Sequence, residues 1–249
     1  MSAAISDGVR LTVLGAREIR DGDVLFVGIG VPSLSAMTAK RHHAANSVLI
    51  YESGAVDSDP SVPPLSTGSP SVVANTAMVT SCLGVFSMLQ QGRFDLGMLS
   101  AAQVDRQGNL NSTVLGSYAK PKVRMVGSGG AHDIAVLAKE FIIMMPHDPR
   151  RFVQKVDFVT SPGRRPDKGE RVARGHGPRC VLTPRARFNF EAGELTLEGI
   201  ADGFTEEQAV EGIGWTVPRS ARLRQMPPIE PGIAATAARI LEVWGREAT

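Results

Sequence analysis

Short apolar runs, bounded by glycine, proline or polar residues, alternate with stretches of helical spacing through most of the chain. Leu11 to Ile19 has the helical period and stops at Asp21-Gly22-Asp23. Val24 to Val27 follows as a short strand, and Pro32 to Arg41 as a helix with proline in its first turn. Val48 to Tyr51 is a buried strand that runs into Glu52-Ser53-Gly54. Gly54 to Gly68 is a long irregular connection carrying Pro60, Pro63 and Pro64, and loops of this kind in compact domains commonly carry function. Cys82 to Gln91 is an amphipathic helix closed by Gly92, and Asp95 to Ala101 the next strand. Val123 to Val126 leads through Gly127-Ser128-Gly129-Gly130 into a helix over Ala131 to Lys139, and Phe141 to Met145 is again a buried strand.

Beyond Pro146 the pattern changes. The segment to Arg179 is basic, glycine-rich and poorly periodic, which reads as a solvated loop or as a surface for the phosphates of a nucleotide-bearing substrate. After Cys180 the period becomes two: Cys180 to Thr183, Arg187 to Phe190 and Glu194 to Glu198 read as antiparallel strands, with a hairpin turn over Glu191 to Glu194. Thr205 is placed to cap a short helix, Glu206 to Glu211, with Gln208 completing a capping box, and Ile229 to Arg246 is a terminal helix. The class is α/β with a β-rich C-terminal extension.

Composition narrows the function classes. Of 249 residues, 43% are hydrophobic and 21% charged, enough for a sizeable core. A net charge of +2 is too balanced for binding nucleic acid or membrane by bulk electrostatics. Cys82 and Cys180 stand far apart without metal spacing and read as reduced thiols. No bound metal is expected, since the adjacent His42 and His43 point in different directions. No signal peptide or bilayer-length apolar run is seen, so a cytoplasmic protein is expected.

Three stretches can carry chemistry. Glu52 stands just past a strand end, where reactive groups of open α/β sheets gather. The pattern alone favours a structural carboxylate there, capping the strand or pairing with a lysine. Gly28 and Gly30 form a strand-to-helix turn that either lets backbone approach a ligand or serves packing only; as a dinucleotide fingerprint it is incomplete. Gly129 and Gly130 form a second such turn, whose backbone N–H groups can serve an anion or an oxyanion. His132 and Asp133 follow it, the histidine reading better as a structural or capping residue than as a base. Gln103, Asp105, Asn109 and Asn111 are either fixed dipoles for a substrate oxygen or parts of a hairpin turn.

Taken together, Gly28-Ile29-Gly30-Val31-Pro32, Ile50-Tyr51-Glu52-Ser53-Gly54, Ala101 to Thr113, Lys120-Pro121-Lys122-Val123-Arg124, Gly127 to Ala131 and Val156 to Ser161 resemble the β subunit of class I CoA-transferases, in particular the 3-oxoadipate and glutaconate types. The resemblance runs from about Thr12 to Gly163 and thins beyond. It implies one CoA-transferase-like α/β domain, with a core over about 12–163, an open, mostly parallel sheet flanked by helices, and the β-rich extension over about 179–249. It implies a partner α subunit in a hetero-oligomer, no permanently bound cofactor, and a coenzyme A thioester as substrate. On the matching positions, Glu52 falls on the nucleophilic glutamate, Gly129 or Gly130 on the oxyanion loop, with Gly28 and Gly30 also placed toward CoA, and Gln103 and Asn109 on the acyl site. Other reactions on such a scaffold are thioester hydrolysis, decarboxylation and ring opening. A non-catalytic CoA-binding partner subunit is a further alternative.

Overall fold

Val24–Val27 and Val48–Ile50 form neighbouring parallel strands because each is a short, wholly apolar run, almost wholly buried. The structure, a computed structural model, describes residues 5–164 and 175–247. Most of the basic loop expected around 164–179 therefore lies outside the described residues. By contact the chain divides into two compact units, Met1–Met98 with Ile229–Thr249, and Leu99–Pro228.

The first unit contains α1 (Asp7–Arg17), β1 (Val24–Val27), α2 (Val31–His42), β2 (Val48–Ile50), β3 (Ala55–Val56), a 3₁₀ turn at Pro70–Val73, β4 (Met78–Val79), α3 (Cys82–Gln90), β5 (Leu96–Leu99) and the C-terminal helix α6 (Pro231–Glu247). Its strands run in the order β5-β1-β2-β3-β4. The β1 strand pairs parallel with both β5 and β2, while β3 and β4 fold back antiparallel. Helix α2 is buried from Pro32 to Ala39, and this stretch includes three hydroxyl residues. Each hydroxyl has a partner: Ser33 the Tyr51 phenol, Ser35 the Thr12 carbonyl and Thr38 the Leu34 carbonyl. Burial of these polar groups is thereby offset. Leu34 and Met37 pack against Ile240, with Leu241 and Trp244 of α6 beside them.

The second unit contains β6 (Gln103–Val104), β7 (Leu110–Asn111), β8 (Val114–Gly116), β9 (Pro121–Arg124), α4 (Ala131–Leu137), β10 (Glu140–Met144), β11 (Pro178–Leu182), β12 (Ala186–Glu191), β13 (Glu194–Ile200), α5 (Glu206–Val210) and β14 (Arg219–Gln225). Strands β10 to β14 lie in sequence order. The β11-β12 and β12-β13 pairs are antiparallel, as the period of two requires, and β10-β11 and β13-β14 are parallel. The α/β class with an open sheet flanked by helices is observed. The Thr205–Gln208 capping box closes both ways, with Oγ1 accepting from the Gln208 N–H and Oε1 from the Thr205 N–H. Among the described residues no helix is long and apolar enough to cross a membrane.

Candidate active site

The parallel register places Glu52. Phe26 of β1 pairs with Ile50 of β2 as the last pair of the register, and Gly28 and Glu52 each follow two residues on. Both lie just past the carboxyl ends of their strands, where an open parallel sheet offers a ligand crevice. Glu52 and Ser53 form the tip of a tight turn. The Tyr51 carbonyl accepts the Gly54 N–H at 3.0 Å, and the Tyr51 N–H donates to the Ala55 carbonyl at 3.0 Å. Gly54 has φ 120°, and its carbonyl accepts the Thr80 N–H at 2.8 Å. A Cβ at Gly54 would stand 1.9 Å from the Thr80 carbonyl oxygen. Only glycine fits this corner, so Gly54 sets the direction in which Glu52 leaves the strand. The Glu52 carboxylate is half-buried and makes no hydrogen bond or ion pair with a described residue. The capping or lysine-paired carboxylate that the pattern alone favours is not observed.

Beside it, Gly30 is the N-cap of α2 at φ 78°, ψ −139°, with no side chain capping the helix. A side chain there would meet open space, so glycine answers to the backbone angle and not to packing. Pro32 has no N–H in this first turn, and no side chain caps the others. Tyr51 ties the two parts together. Its side chain is fully buried and its hydroxyl lies 2.8 Å from Ser33 Oγ in the first turn of α2. Burial pushes the phenol up to about 12, against the smaller opposing effect of the Ser33 hydrogen bond. The folded state thus keeps the proton over the range from the ordinary tyrosine value, near 10, to about 12, where the unfolded chain has lost it. Stability from this group is complete below pH 10 and falls as pH rises to 12, by on the order of 2–3 kcal/mol. Tyr51→Phe is expected to remove that alkaline dependence, at a cost of about 1 kcal/mol near neutral pH. Denaturant midpoints measured across the alkaline range, with variant and parent compared, test both.

In the second unit, β6 and β7 form a hairpin, and Asp105 to Asn109 is its turn. The Asp105 carboxylate accepts the Gln107 and Asn109 N–H groups and the Asn109 side-chain amide. Asn109 Oδ1 accepts the Gly163 N–H at 2.9 Å. Gln103, buried, donates to Asp157 and accepts from the Asn111 amide at 2.7 Å and from the Asp157 N–H. Both amides, expected at the acyl site, are therefore bonded to protein groups and hold the loops after β7 and around Asp157. Nothing in the sequence pairs Gln103 with Asp157, since the contact spans 54 positions.

The glycine loop is moored to that frame. The Gly127 N–H donates to the Ser112 carbonyl, and Ser112 Oγ to the Gly127 carbonyl. Ser128 takes the Ala131 N–H on its carbonyl and the His132 N–H on its hydroxyl. The N–H groups of Gly129 and Gly130 donate to no described residue. His132 places Nδ1 3.1 Å from the Thr160 carbonyl, a structural contact. Thr160 Oγ1 in turn accepts the Ser112 N–H and lies 2.7 Å from the Thr113 hydroxyl. Among the described residues no cluster of His, Cys, Asp or Glu is arranged to hold a metal ion, and both cysteines are free.

Glu52 and the glycine-capped α2 thus belong to the first unit, and the glycine loop, whose Gly129 and Gly130 N–H groups donate to no described residue, to the second. Residues 10–174 match the coenzyme A transferase family. The chain is 41% identical, over 86% of its length and 85% of the relative's, to the β subunit of 3-oxoadipate CoA-transferase from Pseudomonas knackmussii. It is 37% identical, over 80% of its length and 79% of the relative's, to the β subunit of glutaconate CoA-transferase from Acidaminococcus fermentans. The crystal structure of glutaconate coenzyme A-transferase from the latter organism superposes with a TM-score of 0.85 at 30% identity, covering 92% of each chain. The decarboxylase AibA/AibB shares the fold, with a TM-score of 0.82 at 20% identity over 98% of each chain. The chain belongs to the coenzyme A transferase family.

Proposed function

We propose that this chain is the β subunit of a heteromeric CoA-transferase, acting with an α subunit. It moves CoA between an acyl-CoA and a carboxylic acid, a dicarboxylate such as 3-oxoadipate or glutaconate. The observation that carries this reading is the half-buried Glu52 carboxylate, without a partner among the described residues, just past the end of β2 on a turn that Gly54 allows.

In this reading Glu52 attacks the thioester carbonyl and expels CoA thiolate, leaving a mixed anhydride. The thiolate attacks the Glu52 carbonyl carbon, which releases the first acid and leaves a glutamyl-CoA thioester. The second acid attacks that thioester, and the same steps run in reverse. The attacking group in this reading is the carboxylate itself, so the first step is written without a separate base. Backbone N–H groups at Gly129 and Gly130 are the proposed oxyanion donors, each of a kind worth roughly 3 kcal/mol. Gly28 and Gly30 keep the approach to the thioester free of side chains. Gln103 and Asn109 serve the acyl site by holding its loops.

Incubating the reconstituted complex with acyl-CoA and then borohydride tests the reading. The expected outcome is a reduced modification on the peptide containing Glu52, and, without borohydride, a new acyl-CoA formed only when an acceptor acid is supplied, with no net release of free CoA. Rapid CoA release without acceptor and without a trapped peptide would identify a hydrolase instead.

A further inference from the structure

The segment between the Glu52 turn and α3 has a composition that the chemistry just described does not use. From Pro60 to Gly92 no Asp, Glu, Lys, Arg or His occurs, a run of 33 residues in which the chain's average of 21% charged residues would place about seven. The run is not core: only four of the 24 residues from Pro60 to Leu83 are buried. Five of the nine exposed large hydrophobic residues among those described lie in it, Leu65, Val73, Met78, Val79 and Leu83, between 46% and 77% exposed. Its last part is continuous surface, since nine of the eleven residues from Val73 to Leu83 are exposed. That part is built on a sheet edge. Strand β4 stands last in the strand order and pairs with β3 alone. Thr80 donates its N–H to the Gly54 carbonyl at 2.8 Å on the β3 side. Alternation therefore turns the N–H and C=O of Val79 to the outer edge, where no described strand pairs with them. Strand β14, last at the opposite end of the strand order, carries Arg219, Arg222 and Arg224, the kind of charge that keeps an edge from pairing. The β4 edge carries none.

We propose that this uncharged segment, above all Val73 to Leu83 on the β4 edge, is the face on which the α subunit seats. This rests on the heteromeric reading above. The 20 residues of Pro60–Leu83 that are not buried match the roughly 20–30 that one side of a standard interface uses. Depletion of charge is what separates the core of an interface from ordinary solvated surface. It also states the chemistry of the partner: an equally uncharged face, because a charge set against this one would lose its water and find no counter-ion. A second copy of this chain fits less well. A two-fold contact here would bring together two Glu52 turns, each fastened to the face by its Gly54–Thr80 bond. An α subunit seated on the face closes over one Glu52 turn and adds no second carboxylate of that kind.

The test uses Val79→Lys and Leu83→Asp, each titrated calorimetrically with the α subunit. Both side chains are exposed. Lysine is a common guard of edge strands, and a carboxylate in the first turn of α3 suits that helix end. The separate chain is therefore expected to fold as the parent does, by circular dichroism and denaturant midpoint. Expected for each variant is a rise of about a hundredfold or more in Kd for the α subunit, since the complex must bury an unpaired charge. Hydrogen exchange of the parent chain is a second readout that needs no variant, and it decides alone if a variant fails to fold. The amides of the Val73–Leu83 peptide are expected to exchange about tenfold or more slower in the complex than in the separate chain. Parent-like affinity in both variants, or exchange across this peptide unchanged by the α subunit, overturns the proposal. Retained assembly with a raised KM for the acid overturns it and makes the stretch a wall of the acyl site. A separate parent chain that sediments as a dimer, and as a monomer in either variant, overturns it and assigns the face to a second copy. The assembly readings need no turnover. Weakened assembly in the variants upholds the face even if the parent complex transfers nothing, and unchanged assembly overturns it even if transfer proceeds.

Discussion

Glu52→Gln in the reconstituted complex is expected to reduce CoA exchange by about 10⁴-fold or more, with assembly and CoA affinity retained. The amide is isosteric but cannot attack the thioester, and removing a nucleophile costs on this order because no other group takes over the covalent step. Nothing else in the fold depends on the charge, since the carboxylate has no hydrogen-bonded or ionic partner among the described residues. Glu52→Asp separates positioning from chemistry. It keeps the nucleophile and withdraws it by about one bond length, so a loss of about a hundredfold in kcat is expected. Full turnover in the glutamine variant would falsify the covalent reading and leave this chain as a CoA-binding partner. Exchange assays between labelled acid and acyl-CoA read all three proteins.

Gly54→Ala is expected to be the most damaging single methyl in the first unit. The added carbon would stand 1.9 Å from the Thr80 carbonyl oxygen, and the backbone there sits at φ 120°, which L-residues rarely adopt. Relief requires moving the Thr80 N–H away from the Gly54 carbonyl that it bonds at 2.8 Å. Overpacking and backbone strain each cost about 1–3 kcal/mol, so a loss of roughly 2–5 kcal/mol is expected, read as a lowered denaturant midpoint. The same shift re-aims Glu52, so residual folded protein should be defective in kcat more than in KM. Gly30→Ala makes a useful contrast. Its Cβ would meet nothing within 4 Å, so only the backbone angle is strained and a smaller loss is expected.

Several elements are legible in the sequence because their signals are local. The Thr205–Gln208 capping box, the turn from Glu191 to Glu194 and the proline at the start of α2 are each written within a few residues. Helix α1 begins at Asp7 and not near Leu11, because Ser6 caps it by accepting the Val9 N–H. Strand β14 escapes a reading of the pattern because Arg219, Arg222 and Arg224 give it the look of surface; as the edge strand of its sheet it tolerates, and benefits from, exposed charge. Strand β8 is three residues long and ends on glycine, too short for a period to register. The choice at Asp105 to Asn109, between substrate dipoles and a hairpin turn, depends on which partners the amides find, and those come from Asp157 and Gly163.

By itself the sequence determined the α/β class, the order of strands and glycine turns, and the position of a carboxylate just past a strand end, because periodicity and turn chemistry act between near neighbours. The tertiary structure alone decided that β1 pairs parallel with β2, that Tyr51 locks onto Ser33, that Thr80 leaves room only for glycine at position 54, and that Gln103 finds Asp157. Each of these is a contact or register between distant segments, or the absence of one. Packing and strand pairing set them only once the whole unit has closed.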